Sequence, residues 1–205
     1  MLSLRLLTIA QLVKPNSKVL DVGTDHAYLP IYLRQMKICK EVIASDISPN
    51  ALLGAQKNIE RFATTGIKLV CSDGLEKISD EYDTLVISGM GTNTIIHILK
   101  EQVLPNNIIL SSNNNLYELR QFMNNLGYKI VKEVAILDKG KYYDIIAYEK
   151  GKEHLSRANL EYGKSNNKEY LRHLYQKEKF VFKELNFLNK LKKIPKLIKL
   201  KGLSI

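Results

Sequence analysis

Three short apolar runs in this chain each stop at an acidic residue, and few folds accommodate that. Lys18-Val19-Leu20 reaches Asp21 and leads into Val22-Gly23-Thr24-Asp25-His26-Ala27-Tyr28-Leu29-Pro30. Glu41-Val42-Ile43-Ala44-Ser45 stops at Asp46, and Ile67 to Cys71 is followed by Ser72-Asp73-Gly74. Runs of this length, bounded by glycine or by a proline-opened helix, are those of buried strands. Carboxylates at successive strand ends, with glycine beside the first, form the pattern of a nucleoside-binding α/β site. Glycine lets backbone approach the ligand, and the second acid takes both ribose hydroxyls. Neither G-x-G-x-x-G nor G-x-x-x-x-G-K-[ST] occurs, and both of those motifs serve a pyrophosphate or triphosphate. The expected ligand is therefore an adenosine without phosphates, which S-adenosylmethionine fits best.

Periodicity supplies the frame. A helix is expected from Leu2 to Val13, stopping before Pro15, and helices follow at Tyr28–Met36 and, opened by Ser48-Pro49-Asn50, to about Phe62. Strands are expected at Lys18–Asp21, Val42–Asp46, Ile67–Cys71, Tyr82–Ile87 and Asn107–Leu110, with helices from Thr94 to about Glu101 and over Tyr117–Leu126. Tyr128–Leu137 and Tyr142–Glu149, joined by Asp138-Lys139-Gly140-Lys141, predict a terminal hairpin. Strands alternating with helices, then an antiparallel pair, predict a doubly wound α/β sheet with an added edge. Cys39 and Cys71 lack metal-ligand spacing and are expected to be small buried thiols. The amino-terminal residues do not have the form of a signal peptide, and no run approaches the length of a membrane span, so a cytoplasmic protein without membrane contact is expected.

After Gly151 the composition changes. Residues 151–205 hold 14 Lys and Arg against 5 Glu, whereas residues 1–150 are nearly balanced, so the tail carries almost all of the net charge of +10. Such a block is an electrostatic footprint for nucleic acid, although Lys and Asn richness also follows from an AT-biased genome. Leu171, Leu174, Val181, Leu185 and Leu188 fall on a seven-residue repeat that Glu178 interrupts. This predicts a long amphipathic helix able to pair as a short coiled coil, broken at Lys192-Lys193-Ile194-Pro195, with the remainder too short for an equal partner. The expected domains are 1–151, binding the cofactor, and 152–205, basic and helical.

The chemistry assigns roles. Gly23 admits the methionine part, Asp46 accepts from the ribose, Asp73 accepts from the adenine amino group and Gly74 clears space. Asp46 and Asp73 are equally suited to capping helices. Asp25, His26 and Tyr28 crowd the mouth of the first turn, where a lone histidine is more often structural. Ser88-Gly89-Met90-Gly91 either faces backbone N–H groups to a ligand or is a tight turn. Ser111 to Asn115 either presents amides to a base edge or is a solvated loop.

These residues resemble the TrmK-type bacterial tRNA N1-adenine methyltransferases. The resemblance rests on L-S-x-R-L (Leu2, Ser3, Arg5, Leu6), on D-[IV]-G-[ST]-D-H-A-Y-L-P throughout Asp21 to Pro30, and on A-S-D at Ala44-Ser45-Asp46. It extends to D-G-L at Asp73-Gly74-Leu75, to Gly89-Met90-Gly91 of G-M-G-G, and to Tyr143-Asp144-Ile145 of Y-[ED]-I. Thr92 stands where the family usually has its second glycine, and Ser111-Ser112-Asn113 where L-Q-P-N is usual. The resemblance implies a Rossmann-like class I methyltransferase sheet with a small all-α, coiled-coil-like carboxy-terminal domain. It implies methyl transfer from S-adenosylmethionine to N1 of adenine-22 in tRNA, with no metal expected. The cofactor set would be Asp21, Gly23, Asp46, Ile47, Asp73, Gly74 and Gly89. The catalytic set would be Asp25, His26, Tyr28 and Asn113, with Asp25 or Asn113 accepting from the exocyclic amine. The rivals are a non-catalytic RNA-binding protein on a degenerate methyltransferase fold, and a methyltransferase of another substrate.

Overall fold

The computed structural model describes residues 2–204. Seven strands form one sheet: β1 (Lys18–Val22), β2 (Glu41–Asp46), β3 (Ile67–Cys71), β4 (Thr84–Met90), β5 (Asn107–Ser112), β6 (Tyr128–Asp138) and β7 (Lys141–Lys150). Their order is β3-β2-β1-β4-β5-β7-β6, parallel through β5, with β7 antiparallel to both β5 and β6. The chain first winds outward from β1 to β3 and then restarts on the other side at β4. The loops after β1, β2 and β4 therefore open on one edge of the sheet, where such folds bind ligands.

Pleating sorts the side chains. Leu20 and Val22 share a core with Leu85, Ile87, Ile95 and Leu119, on the side of helices α4 (Thr92–Leu99) and α5 (Leu116–Asn125). Val19 instead packs with Ile9, Leu29, Val86 and Ile109, on the side of α1 (Leu4–Leu12) and α2 (Tyr28–Gln35). Asp21 has the parity of Val19 and so points to that second face. α3 (Pro49–Arg61) starts where the Ser48 hydroxyl accepts from Ala51 N–H, with proline at its first turn.

Most expected elements shift by one to three residues. β4 and β5 run further than expected, so that Ser88, Ser111 and Ser112 are strand residues, and Ser111 and Ser112 are buried. The expected loop thus shrinks to Asn113–Asn115. The hairpin turn narrows to Lys139-Gly140, both in the left-handed region (φ +49° and +79°), which suits the twist of a two-residue connection. Cys39 is buried, but Cys71 is exposed on the edge strand β3, contrary to expectation, because no further strand covers that side.

The tail departs most. It holds α6 (Arg157–Tyr162), α7 (Lys168–Glu184) and α8 (Phe187–Ser204), and the break falls at Leu185-Asn186, with Pro195 inside α8. Asn186 Oδ1 accepts from Asn189 N–H, which restarts the helix ahead of the break expected at Lys192-Lys193-Ile194-Pro195. The two helices are nearly equal and antiparallel: Arg172 Nε donates to Ser204 O, and Glu178 takes Lys193 at 2.9 Å and Lys196 at 3.2 Å. Glu178, an interruption in the apolar stripe, is thus the clamp between them. Among the described residues no helix is long and apolar enough to cross a membrane.

A buried ionic cluster fastens the tail to the sheet. The Arg120 guanidinium on α5 donates twice to Glu133 on β6, approaches Asp144 of β7 at 3.8 Å, and donates to Leu160 O of α6. Glu133 also accepts from Lys164 N–H, and Asp144 accepts from the Tyr170 hydroxyl of α7 at 2.6 Å. Removing one member of such a cluster leaves an uncompensated buried charge. Burial pushes the Asp144 carboxyl up to about 6, against the pull of the Tyr170 hydroxyl and the Arg120 guanidinium. The folded chain then holds this proton more tightly than the unfolded one. The group's contribution is most favourable below about pH 4 and is lost as pH rises through about 6. We expect Asp144→Asn to gain on the wild type by up to about 3 kcal/mol between pH 4 and pH 7, whatever its absolute stability. Denaturant unfolding at both pH values checks this, and a pH-independent difference would contradict it.

Candidate active site

A cleft of about 650 Å³ opens at the carboxyl ends of β1, β2 and β4. It is lined by Gly23, Asp25, Asp46, Ile47, Asp73, Gly74 and Gly89. Six of the seven expected cofactor residues and one of the four expected catalytic residues therefore meet on one wall system, although they come from four separate stretches of chain.

Its floor is set by backbone conformation. Gly23 (φ +74°) and Gly74 (φ +52°) occupy the left-handed region, which side chains other than glycine rarely adopt. A methyl group on Gly23 would lie 2.3 Å from the Met90 Sδ-methyl carbon, and one on Gly74 would lie 3.0 Å from Ile98. Gly23 and Thr24 both donate N–H to Ser45 O, so the β1 loop is sewn to the end of β2.

Asp46 is the strut between loops. Its Oδ2 accepts from Asp25 N–H at 3.0 Å and its Oδ1 from Ser48 N–H at 2.9 Å. Ser48, not Asp46, caps α3. Each Asp46 oxygen retains acceptor capacity, and the rotamer is already locked, which suits a carboxylate that must receive two vicinal hydroxyls. Asp73 is exposed beside it, and Ile47, 63 % exposed, offers the apolar surface a purine face requires.

Asp21 stands apart from the wall. Its side chain is buried, and its Oδ2 accepts from the Thr24 hydroxyl at 2.8 Å. Burial pushes its carboxyl up to about 6; the Thr24 hydrogen bond and Arg5 oppose this, and the Asp46 charge adds to it. It acts from beneath the loop rather than as a wall residue.

The mouth is built from strained backbone. Asp25 (φ +52°) and Ala27 (φ +56°) flank His26 in left-handed conformations, a costly arrangement for residues with side chains that concentrates at functional sites. The turn is held by Ala27, fully buried among Ile31, Ala55 and Ile59, and by Asn58 Nδ2 donating to His26 O. His26 and Tyr28 rings lie 5.7 Å apart at a tilt of 54°, and His26 Nε2 is 3.7 Å from the Asp25 carboxylate. Across the opening, Asn113 donates its amide N–H to Gly89 O at 2.6 Å and its Oδ1 lies 3.5 Å from Lys141 Nζ. His26, Tyr28 and Asn113 thus rim the cleft rather than line it.

Arg5, which its motif places near the site without assigning it a partner, lines the cleft. Its guanidinium lies 5.2 Å from the Tyr143 ring centroid, and a side chain on Gly89 would press against it. Its signal was present in the opening motif, but only folding places α1 beside β4 and β7. Met90, Ser88, Thr94 and Ala51 also line the cleft without having been singled out individually.

The two departures from the family pattern touch each other. The buried Thr92 hydroxyl meets the Ser112 hydroxyl at 2.9 Å and Asn114 O at 2.7 Å, while Thr92 N–H donates to Asn114 Oδ1. Thr92 therefore faces the neighbouring loop, whereas Gly23, Gly74 and Gly89 line the cleft. Among the described residues no three His, Cys, Asp or Glu side chains are grouped to hold a metal ion.

Comparison with known proteins agrees with this geometry. Residues 2–146 match the model of a methyltransferase domain family. The tRNA (adenine(22)-N(1))-methyltransferase of Bacillus subtilis is 32 % identical over 156 residues, 73 % of this chain and 66 % of that enzyme, just under two thirds of its length. The structure of Mycoplasma capricolum TrmK in complex with S-adenosylhomocysteine superposes with a TM-score of 0.87 at 32 % identity, covering all of this chain and 98 % of the other. This chain belongs to the TrmK family of tRNA methyltransferases. The B. subtilis TrmK crystal structure, at 25 % identity and TM-score 0.85, also covers the whole chain. The basic tail is therefore part of the TrmK fold even though the sequence-level match weakens there.

Gly23→Ala tests the cleft floor. Met90 is flexible and can swing aside, so folding should lose only about 1 kcal/mol from the left-handed backbone. The new methyl group would still occupy the floor, and S-adenosylmethionine affinity should fall at least roughly tenfold. Calorimetric titration beside thermal unfolding separates the two effects.

Proposed function

We propose that this chain transfers the methyl group of S-adenosylmethionine to N1 of adenine-22 in tRNA, in the cytoplasm, and that the cleft at the tips of β1, β2 and β4 is where it does so. The observation that carries the proposal is the convergence of a locked carboxylate (Asp46), two left-handed glycines and an exposed carboxylate on the cleft wall (Asp25) around one cavity large enough for an adenosyl group. The residues fit the cofactor. Its ribose hydroxyls would be taken by Asp46, its adenine by Ile47, Asp73 and Gly74, and its methionine part by the bare backbone of Gly23 and Gly89. Arg5, a guanidinium on the cleft wall, is matched to the methionine carboxylate. Asp21 and Asp46 supply negative field for a cationic ligand.

The cofactor contributes an electrophilic methyl group on a sulfonium, and everything else falls to the chain. N1 of adenine is a neutral in-plane lone pair that needs no strong base, so the protein's task is alignment and exclusion of water. Asp25, on the cleft wall and tied by its own N–H to Asp46, accepts from the exocyclic amine and stabilises the cationic product. Asn113 Oδ1, with its amide N–H committed to Gly89 O, is the second acceptor. His26 and Tyr28, half exposed and tilted together, stack on the base. Stacking in a duplex hides N1, so the base enters unpaired or flipped. Residues 152–205 form the basic domain that grips phosphate without reading sequence.

Incubating the chain with labelled S-adenosylmethionine and unmodified tRNA, then mapping the modified nucleotide, tests the proposal. Label at adenine-22 N1 is expected, and cofactor binding without transfer to any RNA would refute it. Asp25→Asn is expected to lower kcat on the order of 10²-fold with cofactor affinity within about twofold of wild type. Full turnover in that variant would remove Asp25 from the mechanism.

A further inference from the structure

The helical hairpin is docked at one end only. Tyr170 and Leu171, in the first turn of α7, are buried, and the Tyr142 ring stacks obliquely on Tyr170 and His173. From Tyr170 to the turn at Leu185-Asn186 the arm extends about 20 Å at the helical rise. Its far end is neither a plain solvated face nor a packed one. Phe180 is 69 % exposed and Phe187 74 % exposed, one on each side of the turn. The same stretch of chain carries exposed Lys177, Lys179, Lys183 and Lys192, which have no ion-pair partner among the described residues. The only acids over residues 177–193 are Glu178, held by Lys193 and Lys196, and Glu184.

Leaving two phenyl rings in water forfeits their burial energy, and a cationic surface repels a second copy of itself, which argues against the tip as a dimer contact. Aromatic rings interleaved with unpaired lysines match a different occupant: single-stranded nucleotides, whose bases stack on the rings while their phosphates meet the ammonium groups. We infer that the tip of the α7–α8 hairpin is a base-stacking contact for an unpaired segment of the tRNA, remote from the methylated adenine, with Phe180 and Phe187 as its platforms. This rests on tRNA being the substrate, and it assigns the tail a contact with bases in addition to its grip on phosphate.

Salt dependence separates the two kinds of contact, because stacking releases no counterions. Binding of full-length chain to unmodified tRNA is measured across a salt series. Phe180→Ala with Phe187→Ala is expected to weaken binding roughly 10- to 100-fold with the slope of log K against log[salt] unchanged. The corresponding Trp pair should bind as wild type, whereas the Leu pair, which keeps apolar area but loses the ring, should resemble the Ala pair. Lys177→Gln with Lys179→Gln should instead flatten the slope by roughly 0.7–0.9 per lysine. Both residues are exposed, so S-adenosylmethionine affinity should be equal in all variants, which certifies folding. Unchanged tRNA affinity in the Ala pair, wild-type affinity in the Leu pair, or a wild-type dimer that the Ala pair abolishes in sedimentation would each overturn the inference. So would binding of the wild type to anionic lipid vesicles that the Ala pair loses while its RNA affinity is unchanged. If the wild type methylates adenine-22 and the Ala pair binds normally, the stacking contact alone fails. If the wild type neither binds nor methylates tRNA, the underlying assignment fails with it.

Discussion

The position of β1 between β2 and β4 is the constraint from which the site follows. Parallel strands run their carboxyl ends to one edge, and reversal of winding at β1 leaves the loops after β1, β2 and β4 side by side with no helix crossing between them. Asp46 then converts proximity into fixed geometry, since its two oxygens hold Asp25 N–H and Ser48 N–H at once. A side chain that merely capped a helix would hold one loop. This one joins the loop that carries the catalytic candidates to the start of α3.

A second constraint lies outside the cleft. Arg120, Glu133 and Asp144 are buried charges that exchange further hydrogen bonds with Leu160, Lys164 and Tyr170, all from the tail. The catalytic sheet therefore depends on the tail to close its own interior, and the tail depends on the sheet for its direction. For the same reason simple truncation after Gly151 would expose the cluster and confuse loss of RNA binding with loss of fold. Single substitutions on the exposed arm leave that cluster intact. The arrangement also separates tasks in space, with shape and charge for an adenosyl group at the strand tips and a cationic arm held well away from them.

The Thr92–Ser112 contact shows how a departure from a motif can be neutral for the site. Read singly, each residue disturbs a family pattern; together they form a hydroxyl pair that knits the start of α4 to the end of β5. Their distance of 20 positions along the chain hides this, because a hydrogen bond between a helix start and a strand end has no periodicity to reveal it.

The strand-end aspartates, the glycine turns, the hairpin and the uneven charge were all legible in the sequence, because each is a local preference: apolar run length, left-handed backbone freedom, or simple counting. Ile67–Cys71 was placed to the residue, and six of the seven expected cofactor residues reached one cleft. What only the tertiary structure decided depended on neighbours that are remote in the chain. Asp21 turned inward because pleat parity sends it to the face of Val19, and Cys71 remained exposed because β3 is an edge. Arg5 entered the cleft because α1 packs beside β4 and β7. The helix break moved from Lys192–Pro195 to Leu185-Asn186, since an asparagine able to restart a helix and a glutamate able to bridge two lysines outweighed a proline that a helix can carry with one hydrogen bond lost. Local composition sets which elements can form and what chemistry they carry, whereas contact between distant segments decides which of those groups face one another.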